Sequence, residues 1–200
     1  MTEYRKIIFS FDDGPHPIKA LNDICTVLRK SAIKAEFYVR GDEAEKYRDA
    51  VRMIAGQGHK VQNHSWSHPN LAKASEDEVR SQLERTQKII KEITGVMPTK
   101  VRPPYGAGGW PKKYDPELLK VAQSLSLSIH NWDIDTEDWK TPKGIGPTKI
   151  ENIEKQLKFR NKGKRMLNVL MHVQNETARD LPDFIKYLKE SGFTFSAPLG

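Results

Sequence analysis

Short apolar, β-branched runs alternate with longer amphipathic ones along the whole 200-residue chain, and that rhythm leaves few folds open. Ile7-Ile8-Phe9 reads as a buried strand, and residues 21–33 as a helix with Leu21, Ile24, Cys25 and Leu28 on one face. Strands follow at residues 35–39, 60–63, 100–102, 127–134, 166–171 and 193–196. Helices fall between them at 43–55, 75–95, 116–125, 150–159 and 181–191. Gly56 and Gly58 stop the second helix, while Ser75 with Glu78 forms a capping-box signal at the third. This gives about seven β-α units, at the spacing of βαβ repeats. Such alternation implies parallel strands with right-handed crossovers, in a barrel or an open sheet. Either architecture gathers its functional groups at the C-terminal ends of the strands.

Composition narrows the class. Two hundred residues suit one domain over 1–200 with a sizeable core. A net charge of +7 favours anionic partners in principle. Most basic residues are interleaved with acids, however, as on a solvated helix face; only Arg160-Asn161-Lys162-Gly163-Lys164-Arg165 is dense, so nucleic acid is not the expected partner. The single cysteine, Cys25, excludes an intrachain disulfide and reads as a small buried side chain. No apolar run reaches the roughly 20 residues of a membrane span. Met1-Thr2-Glu3-Tyr4-Arg5-Lys6 lacks the apolar stretch of a secretion signal. The expectation is either a protein not exported by that route or one whose leader has been removed. Oligomeric state is not readable.

The strand ends carry the chemistry. The first runs into Asp12-Asp13-Gly14-Pro15, where both aspartates can look into one site only if the chain bends. The third runs into His64-Ser65-Trp66-Ser67-His68-Pro69. Left extended, the two histidines would lie ~13 Å apart, and Pro69 disfavours a helix there; a turn over residues 65–67 would unite them. Two such histidines with one carboxylate make the usual catalytic zinc arrangement of three protein ligands plus water. The fourth strand ends in Arg102-Pro103-Pro104-Tyr105-Gly106, offering a guanidinium to hold a buried carboxylate and a stiff turn to aim a backbone N–H. Asp133-Ile134-Asp135-Thr136-Glu137-Asp138-Trp139 and Leu170-Met171-His172 supply a carboxylate–histidine pair, Asp138 with His172, suited to protonating a leaving group.

Taken in order, Ser10-Phe11-Asp12-Asp13-Gly14-Pro15, His64 to Pro69, Arg102 to Gly106, Asp135 to Trp139 and Val169 to His172 resemble the five motifs of the polysaccharide deacetylases (carbohydrate esterase family 4, NodB-like), from residue 7 to about 196. That family includes chitin, chitooligosaccharide and peptidoglycan deacetylases and some acetylxylan esterases. The resemblance implies an α/β fold, a distorted, incomplete (β/α) barrel, with the site in a groove at its mouth. It makes Asp12 the general base, oriented by Arg102, and Asp13, His64 and His68 the ligands of one divalent metal, zinc by preference, with cobalt or nickel compatible. It makes His172 the general acid, tuned by Asp138. Tyr105 lends its N–H to the oxyanion, and Trp139 and Leu170 wall the acetyl pocket. The sequence departs from the family at Val173, where relatives often carry Asp or Ser, and at Ala107-Gly108-Gly109, where a polar residue often follows the Tyr-Gly.

The expected activity is removal of N-acetyl groups from a GlcNAc-containing polysaccharide or oligosaccharide. The alternatives are acetylxylan esterase activity and a catalytically silent carbohydrate binder. Trp110 and the Gly/Pro-rich stretch 141–147 are expected to border the substrate groove. His16 reads as a solvated loop residue, and His59 and His130 as structural.

Overall fold

The computed structural model describes residues 5–198. Met1, Thr2, Glu3 and Tyr4, read above for the missing apolar leader, lie outside the described residues. Ten strands run β1 Lys6–Gly14, β2 Glu36–Val39, β3 Lys60–Asn63, β4 Lys100–Val101, β5 Gly109–Trp110, β6 Lys113–Tyr114, β7 Ser128–Ile129, β8 Ile134–Asp135, β9 Met166–His172 and β10 Thr194–Phe195. The helices are α1 Ile18–Lys30, α2 Gly41–Lys46, α3 Arg48–Gly56, α4 Glu76–Thr94, α5 Pro116–Ser124, α6 Pro147–Lys155 and α7 Asn175–Glu190. Apart from the antiparallel β5–β6 hairpin, every pairing is parallel. The main sheet is ordered β7-β4-β3-β2-β1-β9-β8, and β10 pairs with the start of β1. It forms a curled, incomplete barrel covered by helices, as the alternation requires.

Three elements differ from the sequence expectation, each for a local reason. Residues 127–134 are two strands, not one. Ser128–Ile129 pairs with β4 on one edge, and Ile134–Asp135 pairs with β9 on the other. Residues 130–133 cross between the two edges: His130 N still donates to Val101 O of β4 and Asp133 N to Asn168 O of β9, and the two strands they join do not pair with each other, so the barrel stays open there. The helix expected over 43–55 breaks at Tyr47, whose φ of −118° and ψ of 52° are not helical and whose ring stacks on His16 at 5.2 Å. The last helix begins six residues before 181 and continues through Pro182, which lacks only one backbone donor. The α4 cap is as expected: Ser75 Oγ accepts from Glu78 N, and Gly95 closes the helix at φ 76°.

The sheet is buried on both faces, but its two faces differ in chemistry. Ile7, Phe9 and Phe11 of β1, Phe37 and Val39 of β2, and Leu167, Val169 and Met171 of β9 join the main apolar core with α1 and α7. Phe9 stacks on Phe184 of α7 at 6.0 Å. The alternate positions, Ser10, Asp12, Glu36, Tyr38, Asn168 and His172, point to the other side. They form a polar inner layer that ends at the barrel mouth. A second apolar cluster, with Leu71, Val79, Leu83, Val101 and Leu118, seats α4 and α5. Cys25 is buried in the main core, and burial pushes its thiol up to about 12. No helix among the described residues is long and apolar enough to cross a membrane.

Candidate metal centre and catalytic pocket

The bend that unites the two aspartates is in the backbone of Asp13 itself. Its φ is 65°, and the β1–β2 register shifts between Phe11 and Gly14. An irregularity of this kind lets successive side chains share a face. The two histidines come together through Ser65 and His68, which also carry left-handed φ values of 65° and 64°. Asn63 Oδ1 accepts from Ser65 N, and Ser65 Oγ from His68 N, which fixes the turn. The imidazole centroids stand 5.0 Å apart, where an extended chain would hold them beyond reach of one ion. Strained, non-glycine backbone of this type persists where surrounding structure holds it, often at functional sites.

Asp13, His64 and His68 each offer one atom to a common point. Asp13 Oδ1 lies 3.3 Å from His68 Nε2 and 3.5 Å from His64 Nε2. Tetrahedral coordination at zinc bond lengths of 2.0–2.1 Å separates neighbouring ligand atoms by about 3.3 Å, so the cluster has the right size. Asp13 Oδ1 is buried with no hydrogen-bond donor, as a ligand oxygen would be. His64 Nδ1 lies 2.7 Å from Arg102 O and must donate to that carbonyl, which leaves the Nε2 lone pair facing the cluster. Burial raises the Asp13 carboxyl, but the adjacent His64, His172 and His68 rings outweigh it and lower it overall. Burial lowers His68, favouring the neutral ring that ligates.

Asp12 is buried beside this cluster, its Oδ2 3.7 Å from His64 Nε2. Its other oxygen accepts from Arg102 Nη1 at 2.6 Å. Arg102 is fully buried. His172 Nδ1 lies 2.7 Å from Asp138 Oδ1; Asp138 Oδ2 accepts from His172 N and from Thr177 Oγ1. Burial pulls His172 down, but the Asp138 hydrogen bond and charge, with Asp12 and Asp13 beyond, raise it to about 9.

Asp12, Asp13, His64, His68 and His172 line one cavity of about 470 Å³ with Tyr105, Trp132, Asp135, Trp139 and Leu170. Tyr105, at φ 62°, packs its ring edge-on to His68 at 4.7 Å. Burial holds the Asp135 carboxyl above its usual range. Trp132 and Asp135 were given no role in the sequence reading. Trp132 lies in the 130–133 crossing between the two edges, which a single strand over 127–134 hides. Trp110, expected at the groove, does not line this cavity. It packs edge-on to Trp132 at 5.2 Å and lines an adjoining cavity of about 460 Å³ that shares Trp132 and Asp135. The 141–147 stretch lines neither: Ile145 N donates to Asp180 Oδ2 of α7, and Lys149 Nζ caps the Pro142 carbonyl. His59 is buried and lowered to about 4 by burial first and the Lys34 charge second, in keeping with a structural role. The two departures from the family pattern are packing features here. Val173 is buried with Cγ2 against Gly14, and a Cβ at Gly108, φ 69°, would sit 2.6 Å from the Asp115 Cβ.

Comparison with known families matches residues 1–130 to the family described as polysaccharide deacetylase. The chain is 37% identical over 147 residues to a peptidoglycan-N-acetylglucosamine deacetylase of Bacillus cereus, covering 74% of this chain and 50% of that protein. It is 34% identical over 188 residues to the peptidoglycan-N-acetylmuramic acid deacetylase PdaC of Bacillus subtilis, covering 94% of this chain and 36% of that protein. The solved structure of PdaC superposes with a TM-score of 0.75 at 30% identity, covering 96% of this chain and 87% of the other. A CE4 family pseudoenzyme of Bacillus anthracis superposes with a TM-score of 0.80 at 27% identity, covering 98% and 64%. The chain therefore spans half or less of the length of the two curated relatives. Fold, motif order and family match agree: this chain belongs to the polysaccharide deacetylase family.

Proposed function

We propose that the protein is a metal-dependent hydrolase that removes N-acetyl groups from a GlcNAc-containing polysaccharide or oligosaccharide and releases acetate. The observation that carries this reading is the joint presence, in one cavity, of a three-ligand cluster, a buried carboxylate held by arginine and a carboxylate-backed histidine. Fold alone would not suffice, since a pseudoenzyme shares it.

Asp13, His64 and His68 would hold the ion, zinc by donor type with cobalt or nickel compatible. A divalent ion there supplies Lewis-acid polarisation of an acetyl carbonyl and of water. Asp12 takes the proton of the attacking water; the Arg102 guanidinium holds and aims its carboxylate. The Tyr105 N–H would donate to the developing oxyanion. His172, kept protonated by Asp138, gives its proton to the departing amine. Trp139 and Leu170 enclose the acetyl methyl, and Trp110 extends the surface offered to a longer glycan through Trp132. The B. cereus and B. subtilis relatives are named for peptidoglycan amino sugars, which favours an amide over an ester substrate.

The test is acetate release from an N-acetylated chitooligosaccharide and a peptidoglycan glycan, against acetylated xylan, before and after chelation and zinc return. Faster release from the amide substrates, lost with chelator and restored by zinc, is the expected result. Preference for xylan would make the protein an esterase, and no release from any substrate would make it a binder.

A further inference from the structure

The polar inner layer of the sheet holds a second ion pair, at the level of Ser10 two residues before the candidate base, that the proposed chemistry does not use. Glu36 of β2 is 1% exposed, and its Oε1 accepts from Lys100 Nζ at 2.6 Å. Its Oε2 accepts from Tyr38 OH at 3.2 Å and from Asn168 Nδ2 at 3.1 Å. The other end of the Asn168 amide, Oδ1, accepts from Arg102 Nη2 at 3.0 Å and from Ser10 Oγ at 2.7 Å.

Arg102 has five N–H donors, and each meets an acceptor: His130 O, Asn131 O, Ser10 Oγ, Asn168 Oδ1 and Asp12 Oδ1. The Tyr38 ring lies against the guanidinium at 4.0 Å. The acceptor that Asn168 provides is not free to choose its orientation. A carboxylate can only accept, so the amide atom that faces Glu36 must be the NH₂, and the carbonyl must then face Arg102. Reversing the amide would set NH₂ against the guanidinium and carbonyl against carboxylate, leaving buried groups unpaired on both sides.

We infer that Glu36 and Asn168 are positioning residues for the base: the Lys100–Glu36 pair fixes the Asn168 amide, which completes the acceptor set of Arg102 and so fixes the guanidinium that aims Asp12. Neither residue lines the catalytic cavity, and both act through Arg102. For its kinetic consequence the inference rests on the proposed deacetylase reading; for its structural content it does not.

The test exchanges the two functional groups. Glu36→Gln leaves one acceptor oxygen where Lys100 and Asn168 each had their own, so the Asn168 amide is no longer forced into one orientation, and Asn168→Asp sets a second carboxylate against Glu36. The double variant Glu36→Gln/Asn168→Asp restores the donor–acceptor order in reverse: the new carboxylate at 168 accepts from Arg102, and the new amide at 36 donates to it while its carbonyl faces Lys100. Net charge is unchanged. Proton exchange of the Arg102 guanidinium, followed by ¹⁵N-edited NMR, should be slow in the parent, accelerated in each single variant and slow again in the double. With metal content equal by elemental analysis, kcat on a chitooligosaccharide should fall about 10- to 100-fold in each single variant, with KM within about twofold, and recover in the double. A protein that needed Glu36 only for packing would show no recovery. Unaltered Arg102 exchange in Glu36→Gln, or a double variant as impaired as the worse single, overturns the inference. If Glu36→Gln does not fold, Asn168→Leu cuts the same relay and is read by the same signals, with parent-like exchange the overturning result. A parent that releases no acetate refutes the deacetylase reading, while Arg102 exchange still decides the relay.

Discussion

His64 and His172 line the same cavity and are anchored in the same way, through Nδ1, yet to different acceptors. His64 is held by a neutral backbone carbonyl, Arg102 O at 2.7 Å. His172 is held by a carboxylate, Asp138 Oδ1 at 2.7 Å. A carbonyl fixes the tautomer and leaves Nε2 a lone pair, which suits a ligand. A carboxylate adds a full charge that favours imidazolium, which suits a proton donor, and His172 is raised to about 9. On the proposed function, one wall of the pocket would hold a cation and the other would carry a proton. The acceptor behind the ring, more than the ring, separates the two roles.

The largest effect should come from breaking the first wall. Asp13→Ala, His64→Ala or His68→Ala should remove bound metal and lower activity by about 10³-fold or more, since the ion supplies several kcal/mol of transition-state stabilisation. The fold should survive, because the apolar core lies on the other face of the sheet. Elemental analysis and circular dichroism check this together. A variant that keeps its full metal content would drop its residue from the ligand set.

Breaking the second wall should be selective. An amide leaves as an amine and needs a proton, whereas an aryl acetate releases a phenolate that departs without one. His172→Ala should therefore cost about 10²–10⁴-fold on an N-acetyl oligosaccharide and far less on an aryl acetate, with metal retained. Equal losses on both would make His172 an orienting residue.

The carboxylate behind His172 can be tested by pH alone. A histidine whose pKa is higher folded than unfolded stabilises the fold fully below the unfolded value near 6.5, and that stability is lost as pH rises through about 9. Metal-free protein should thus lose stability between those limits, and Asp138→Asn should flatten the slope. In the metal-loaded protein a dication near Asp13 opposes the shift, so the alkaline limb of activity should fall below 9, and lower still in Asp138→Asn. Denaturant melts and rate profiles across pH 6–10 report the two; an unmoved limb in Asp138→Asn would detach that carboxylate from the proton donor.

What the sequence made legible follows the same division. The strand ends were readable because turns and catalytic groups coincide there: Asp12-Asp13-Gly14-Pro15 and His64 to Pro69 declare both a bend and a chemistry. The polar inner face was not. Glu36, Lys100 and Asn168 lie inside segments read only as strands, Ser10 directly follows one, and only the barrel's curl brings them together behind Arg102. Trp132 escaped because a continuous strand and a two-strand crossing look alike in eight residues. The bend itself falls on Asp13 at φ 65°, a strain that residue type does not advertise.

The smallest effect concerns where the two walls end. The cation wall closes on His68 and Tyr105, packed edge-on. The proton wall continues past Asp135 and Trp132 into the adjoining cavity, with Trp110, 40% exposed, on its rim. A glycan longer than the reacting sugar should therefore extend over the proton wall, with a ring face on the Trp110 indole. An aromatic contact of about 0.5–1.5 kcal/mol corresponds to roughly two- to twelvefold in affinity. Trp110→Ala should raise KM for long oligomers within that range while leaving kcat on a small aryl acetate unchanged, because that substrate does not reach the second cavity. Chain-length series on parent and variant measure it, and the KM difference should vanish for the shortest oligomer. A loss that is equal at every length, aryl acetate included, would mean that Trp110 serves to brace Trp132, and the glycan would then have to leave the pocket by another side.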